Sequence, residues 1–220
     1  MICILLTILS YESYILATDG VLMGFVGDKP TLKGTTTVGV VCDDGVVLGT
    51  ETRVSMGNLI VHKKFEKIFE IDTHIAATTS GVVSDAQGLM RYAQAEAKLY
   101  RMRTGRPMPV EATATLMANI LHYYKIYPFM VQLVIGGYDE RPRLFSLDAV
   151  GSVIEENVIS TGSGSPIAYG IIEGEYKKRM NVKEGIDIVR SALMAAMGRD
   201  VFSGNEISIC VINEKGISKL

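Results

Sequence analysis

Little in this sequence invites a metal, a nucleic acid or a membrane. Three histidines and three cysteines are spread over 220 residues, and no cysteines stand close together, so the usual zinc ligand sets are missing. Cys3, Cys42 and Cys210 are odd in number and far apart. The last two fall in apolar, strand-like runs and read as buried thiols acting as small hydrophobes. There is no basic block: Lys plus Arg number 22 against 24 Asp plus Glu, for a net charge of −2. The electrostatic footprint of nucleic-acid binding is therefore absent. Long apolar runs are lacking too. Residues 1–9 are apolar, but Glu12 interrupts the run well short of the roughly 20 residues that a bilayer span takes. A secretory signal would carry an early positive charge, yet the first is Lys29. We find no internal repeat, low-complexity tract or linker.

What is present suits one core. Hydrophobic residues make up 48% and charged residues 21%, ordinary values for one domain, or for a domain behind a processed leader. The expected division falls at Gly34. Residues 1–34 read as a removable leader, with Met23 as an alternative start and residues 20–34 rich in Gly, Asp and Lys, as a clippable tail is. Residues 35–220 read as the domain.

From Thr35 the pattern tightens. Residues 36–42 are β-branched and apolar, Asp43-Asp44-Gly45 predicts a hairpin turn with the positive backbone angles an Asp-Gly pair favours, and Val46-Val47-Leu48 returns. A second strand pair is expected from residues 58–65 and 67–71, and a further strand over 74–79. Ser84-Asp85-Ala86-Gln87 fits a capping box. Behind it, Ala86, Leu89, Met90, Ala93 and Ala97 recur at helical spacing. Pro109 opens a second helix, ended by Pro128. Strands are predicted over 129–135, 144–147 and 154–159. A helix follows from Pro166 and another from Asn181, then a strand over 206–212 and a short one near Ile217. Helices arriving in pairs between blocks of strands argue against parallel βαβ units. The expected class is α+β, with two antiparallel sheets stacked on each other and a helix pair outside each, a four-layer αββα sandwich.

Thr35 is the residue around which chemistry is expected. An ordinary threonine hydroxyl is a weak nucleophile that needs a base. If the chain is cut after Gly34, the freed α-amino group of Thr35 supplies one, with an unperturbed pKa of roughly 8 that suits proton transfer near neutrality. Gly34, lacking a side chain, tolerates the geometry in which Thr35 attacks its own upstream carbonyl. On its own, a Gly before a Thr-rich strand reads equally as a strand start. In the same way Glu51 and Lys67, sixteen residues apart, read as two solvated charges. Asp200 reads as a salt-bridge partner of Arg199 or Arg53.

The wider pattern carries more. Gly34-Thr35-Thr36-Thr37-Val38-Gly39, then Thr50-Glu51-Thr52-Arg53, Lys67-Ile68-Phe69, Ser160-Thr161-Gly162-Ser163-Gly164-Ser165, and Gly198-Arg199-Asp200 with Ser203-Gly204 closely resemble the proteasome β subunit in its archaeal, self-processing form. The resemblance implies the N-terminal nucleophile hydrolase fold and a threonine-type endopeptidase activated by autocatalytic cleavage between Gly34 and Thr35. It makes Thr35 the nucleophile and Lys67 the neighbouring cation, with Glu51 its acidic partner. Ser163, Asp200 and Ser203 become the group that orients amine and water. It implies Gly81 as the oxyanion-hole residue, Thr37 as a substrate-backbone contact, and Val54, Phe65, Phe69, Thr79 and Val83 around the specificity pocket. None of these five is charged, so apolar or neutral side chains are the expected preference. The same resemblance implies seven-membered β rings, of one or more subunit types, stacked with α rings into a 28-subunit core. An AAA ATPase would feed it unfolded proteins, in the cytoplasm, with no cofactor, metal, nucleic acid or membrane. A ring-building subunit that does not cut and a small-molecule amidase of the same fold are the alternatives. Loss of the first 34 residues separates processing from a scaffold role.

Overall fold

The computed structural model describes residues 34–220; the expected leader, apart from Gly34, lies outside the described residues. Strands β1 (Thr36–Cys42) and β2 (Gly45–Glu51) form the first hairpin, followed by β3 (Val54–Met56), β4 (Leu59–His62), β5 (Ile68–Asp72) and β6 (Ile75–Gly81). Helices α1 (Val83–Thr104) and α2 (Val110–Tyr123) lead to β7 (Val131–Tyr138), β8 (Pro142–Leu147), β9 (Val153–Glu155) and β10 (Val158–Gly162). Helices α3 (Ser165–Glu175) and α4 (Val182–Met197) precede β11 (Ile207–Asn213) and β12 (Gly216–Lys219). The strands make two five-stranded antiparallel sheets, in the orders β10-β1-β2-β11-β12 and β5-β6-β7-β8-β9, and β3-β4 stands apart as a two-stranded hairpin.

Strand alternation explains the layering, because successive side chains point to opposite faces. On the first sheet Val40, Val47, Ile209 and Val211 face Ile172, Val189 and Leu193 of α3 and α4. Val46, Leu48, Cys210 and Ile212 turn the other way, to meet Ile68, Ala76, Val134 and Leu144 between the sheets. The outer face of the second sheet packs Ile75, Leu133 and Ile135 against Leu89, Met90, Met117 and Leu121 of α1 and α2. Each such aliphatic side chain contributes about 1.5–3 kcal/mol by burial. The result is the expected αββα sandwich. Cys42 and Cys210 are buried, and burial pushes each thiol up to about 12. No helix among the described residues is long and apolar enough to cross a membrane.

Several local expectations need correction. The β1–β2 turn is Asp43-Asp44; Gly45 already pairs with Cys42 and has no positive φ. Glycine is required there for room, since a Cβ would lie 2.6 Å from the Ile212 carbonyl oxygen. Helix α1 begins at Val83 with no side-chain cap. Asp85 is committed elsewhere: its carboxylate accepts the Met130 N–H at 3.0 Å and ties the entry to β7. The capping box stands instead at α4, between Asn181 and Glu184. Residues 58–65 do not pair with 67–71: β4 folds back on β3, and β5 pairs with β6.

One packing contact gives a direct stability test. A Cβ on Gly49, in β2, would sit 2.3 Å from Val189 Cγ1 and 2.9 Å from Leu193 Cδ1. Gly49→Ala should therefore lift α4 off the sheet and cost about 1–3 kcal/mol. Gly88, inside α1, has nothing among the described residues within 4 Å of its Cβ position, so Gly88→Ala should stabilise by roughly 0.5–1 kcal/mol. Opposite shifts in thermal midpoint check both.

Candidate active site

The sandwich brings the ends of four segments to one place. Thr35 immediately precedes β1, Glu51 ends β2, Lys67 immediately precedes β5, and Ser163 follows β10. None of these is a surface charge or a free loop residue. Glu51 is fully buried, and Thr35 and Lys67 are 4% and 3% exposed.

Lys67 Nζ is the hub. It donates to Thr35 Oγ1 at 2.9 Å and to the Arg53 carbonyl oxygen at 2.6 Å, and it forms a tight ion pair with Glu51 Oε1. The other carboxylate oxygen of Glu51 accepts the backbone N–H groups of Arg53 at 2.7 Å and Gly204 at 3.1 Å. Thr36 N–H reaches Glu51 Oε1 at 3.3 Å. Burial lowers the Lys67 pKa, against the raising influence of Glu51, and the Arg53 cation lowers it further. Burial likewise raises that of Glu51, opposed by Lys67 and the two N–H donors. A buried ammonium driven toward its neutral form beside a hydroxyl is suited to shuttle a proton. The Thr35 hydroxyl also donates to the Gly34 carbonyl oxygen, so the nucleophile candidate lies against the peptide unit it would have to attack.

A second cluster sits on the far side of Thr35. Asp200 Oδ2 accepts the hydroxyls of Ser163 and Ser203, each at 2.6 Å. Because Ser203 gives its proton to Asp200, the 2.7 Å contact between Thr36 Oγ1 and Ser203 Oγ has Thr36 as donor. Ser163 N–H holds the Thr35 carbonyl at 2.9 Å, with its hydroxyl 3.5 Å from the same oxygen. Neither Asp200 nor Ser203 bonds Thr35 directly; the link runs through Ser163 and Thr36. Asp200 makes no ion pair with Arg199 or Arg53; both its oxygens are used on this loop, Oδ1 accepting Phe202 N–H at 3.3 Å. Gly162 closes the cluster at φ 93°, where a Cβ would lie 1.9 Å from the Thr35 carbonyl oxygen. Only glycine lets the two backbones approach this closely.

A cleft of about 460 Å³ opens in front of Thr35. Gly34, Val54, Phe65, Lys67, Thr79, Gly81 and Val83 line it. Gly81, at φ 116°, ends β6, and a side chain there would run into the Met130 carbonyl oxygen at 2.1 Å. Two expected residues lie elsewhere. Thr37 is fully buried in β1 with its hydroxyl on Thr161 at 2.7 Å, and Phe69 packs against the core beneath α1 and α2. Sequence reasoning missed Ser55 and His62, which also line the cleft. Among the described residues the buried Ser55 Oγ has no hydrogen-bond partner, and His62 is an ionisable group in a wall expected to have none. Both belong to the β3–β4 hairpin, whose misread pairing hid them. Among the described residues no three His, Cys, Asp or Glu side chains gather as a metal site.

A sequence profile for the family described as Proteasome subunit matches residues 31–212. The chain is 53% identical over 191 residues to the proteasome subunit beta of Methanothermobacter thermautotrophicus, covering 86% of this chain and 91% of that one. It is 51% identical over 193 residues to the proteasome subunit beta of Methanocaldococcus vulcanius, covering 86% of each. With that of Methanocaldococcus jannaschii it shares 53% identity over 189 residues, 84% of each chain.

Proposed function

Because this chain belongs to the proteasome subunit family and matches its archaeal β members along most of its length, we propose that it is the catalytic β subunit of a 20S core, a threonine protease that frees its own nucleophile. The observation that carries this reading is the 2.9 Å contact from Lys67 Nζ to Thr35 Oγ1, made while that hydroxyl rests on the Gly34 carbonyl. One geometry serves two reactions. In the first, Thr35 Oγ1 gives up its proton and attacks the Gly34 carbonyl carbon, and the Gly34–Thr35 amide breaks with the proton going to the freed amine. Water then hydrolyses the resulting ester, releasing residues 1–34 and restoring the hydroxyl. In the second, the new α-amine takes the hydroxyl proton as Oγ1 attacks a substrate peptide carbonyl.

The substrate strand lies in the cleft with its developing oxyanion toward the Gly81 N–H, a donor whose removal in comparable sites costs about 3 kcal/mol. The leaving amine departs protonated, and water then cleaves the threonine ester. Lys67 keeps the hydroxyl polarised, Glu51 holds Lys67, and Ser163 with Asp200 fixes the Thr35 main chain from the other side. Val54, Phe65, Thr79 and Val83 supply an uncharged, mostly apolar part of the wall for the side chain preceding the cut. By the same reading the subunit works in the cytoplasm, in β rings between α rings, on unfolded chains delivered by an ATPase.

The test is the mass of the subunit in the assembled particle. We expect a chain beginning at Thr35, and peptidase activity only in particles with that mass. An intact N-terminus on an active particle would overturn the proposal, and an intact N-terminus on an inactive one would mark a scaffold subunit.

A further inference from the structure

Arg53 touches both halves of the site, and no step above uses its side chain. Its main chain serves the buried pair: the N–H donates to Glu51 Oε2 at 2.7 Å, and the carbonyl oxygen accepts from Lys67 Nζ at 2.6 Å. Its side chain crosses to the loop between α4 and β11. There Nε donates to Asn205 Oδ1 and Nη1 to the Val201 carbonyl oxygen, each at 2.9 Å. Asn205 sits at φ 76°, a conformation that side-chain-bearing residues adopt sparingly and that asparagine tolerates best. Beneath the guanidinium lies Gly204, which is buried and whose N–H reaches Glu51 Oε2 at 3.1 Å. A Cβ on Gly204 would lie 2.2 Å from Arg53 Nη2 and 2.5 Å from its Cζ.

This loop is the one that carries Asp200 and Ser203. Its grip on the rest of the site is short: Ser203 to Thr36, Asp200 to Ser163 and Gly204 to Glu51. A planar fork with donors in fixed directions bridges Val201 and Asn205 at once, which the single ammonium of a lysine does poorly. We infer that Arg53 is a positioning residue: its guanidinium clamps residues 201–205 against the end of β2, holding the Lys67–Glu51 pair and the Asp200 cluster in one register about Thr35. The inference rests on Thr35 being the nucleophile. It assigns the clamp a role in rate and not in substrate binding, because Arg53 does not line the cleft.

The clamp can be broken from either side. Arg53→Met removes the fork, and Gly204→Ala leaves Arg53 chemically intact but drives a methyl into it. In assembled particles, each should lower kcat on a fluorogenic peptide by about 10- to 100-fold, the scale of roughly ångström misplacement of catalytic groups. KM should stay within about 2-fold, since cleft contacts are untouched. Arg53→Lys should recover only part of the loss. The Arg53→Met/Gly204→Ala double variant should be no slower than the slower single, because both remove one interaction.

Ring assembly is followed by size-exclusion chromatography. A wild-type kcat in Arg53→Met, or losses that multiply in the double variant, would overturn the inference. If Arg53→Met does not assemble, a wild-type kcat in Gly204→Ala overturns it equally. An inactive wild-type particle would instead indict the reading of Thr35, so the two failures are distinguishable.

Discussion

Thr35→Ala should yield a particle that assembles, keeps residues 1–34 attached and cuts nothing. The expected loss of peptidase activity is about 10⁶-fold, the scale observed when a hydrolase loses its nucleophile. Folding should barely notice. The hydroxyl is one of three acceptors around Lys67 Nζ, and Glu51 and the Arg53 carbonyl remain. The cost is that of one hydrogen bond, about 1 kcal/mol. The Thr35 carbonyl stays in the grip of Ser163 N–H, because that contact is made by main chain. Mass spectrometry and a peptide assay on the same purified rings give both readouts. Finding Thr35→Ala trimmed at Gly34 by its own hand, or still active, would refute the shared-nucleophile account.

Lys67→Ala should fail in two separable ways. Activity should fall by about 10³-fold or more, as the proton-handling group next to the hydroxyl is gone. Stability should fall by about 3–5 kcal/mol, because Glu51, fully buried, is left as a charge without its counter-ion. Only backbone N–H groups would then oppose burial. The sign with pH follows from that. Burial already raises the Glu51 pKa above the ordinary carboxylate value, and without Lys67 it rises further. A group whose folded pKa exceeds its unfolded one gives stability that is present below the unfolded value and lost as pH climbs through the folded value. Lys67→Ala should thus lie closest to wild type in mildly acidic solution and fall away toward neutrality in denaturation experiments. Pairing Lys67→Met with Glu51→Gln removes the uncompensated charge, and should restore much of the stability while leaving the enzyme dead. Recovery of activity in that double variant would mean Lys67 acts only as a structural prop.

Much of this was legible in the chain because its signals are local. The β-branched run after Thr35, the paired helices and the Gly-Ser turn at residues 160–165 each announce themselves within a few residues, and together they force two stacked sheets. The residues of the buried pair and the Asp200 cluster were readable only through their family pattern. Nothing in sixteen residues of separation tells a solvated Glu51 and Lys67 from a buried pair. The β3–β4 hairpin defied periodicity because β4 buries nothing: Leu59 and Val61 are 63% and 43% exposed, so apolar character carried no information about facing. His62 and Ser55 vanished with it. The role of Arg53 was hidden for a different reason, since its side-chain partners Val201 and Asn205 lie 148 and 152 residues away and its other two contacts are made by backbone. Phe69 shows the reverse error, an aromatic placed at the pocket that packs against the helix layer instead.

The placing of β1 has a consequence for maturation itself. This strand is flanked on both sides, by β10 and by β2, and its ladder with β10 starts at the pair Thr36–Gly162. A chain end made by scission at Gly34 would be born stitched into the middle of a sheet, not trailing from an edge where ends ordinarily fray. The switch from dormant to working enzyme would then ask for one broken bond and no refolding. Amide hydrogen exchange along β1 should look alike before and after.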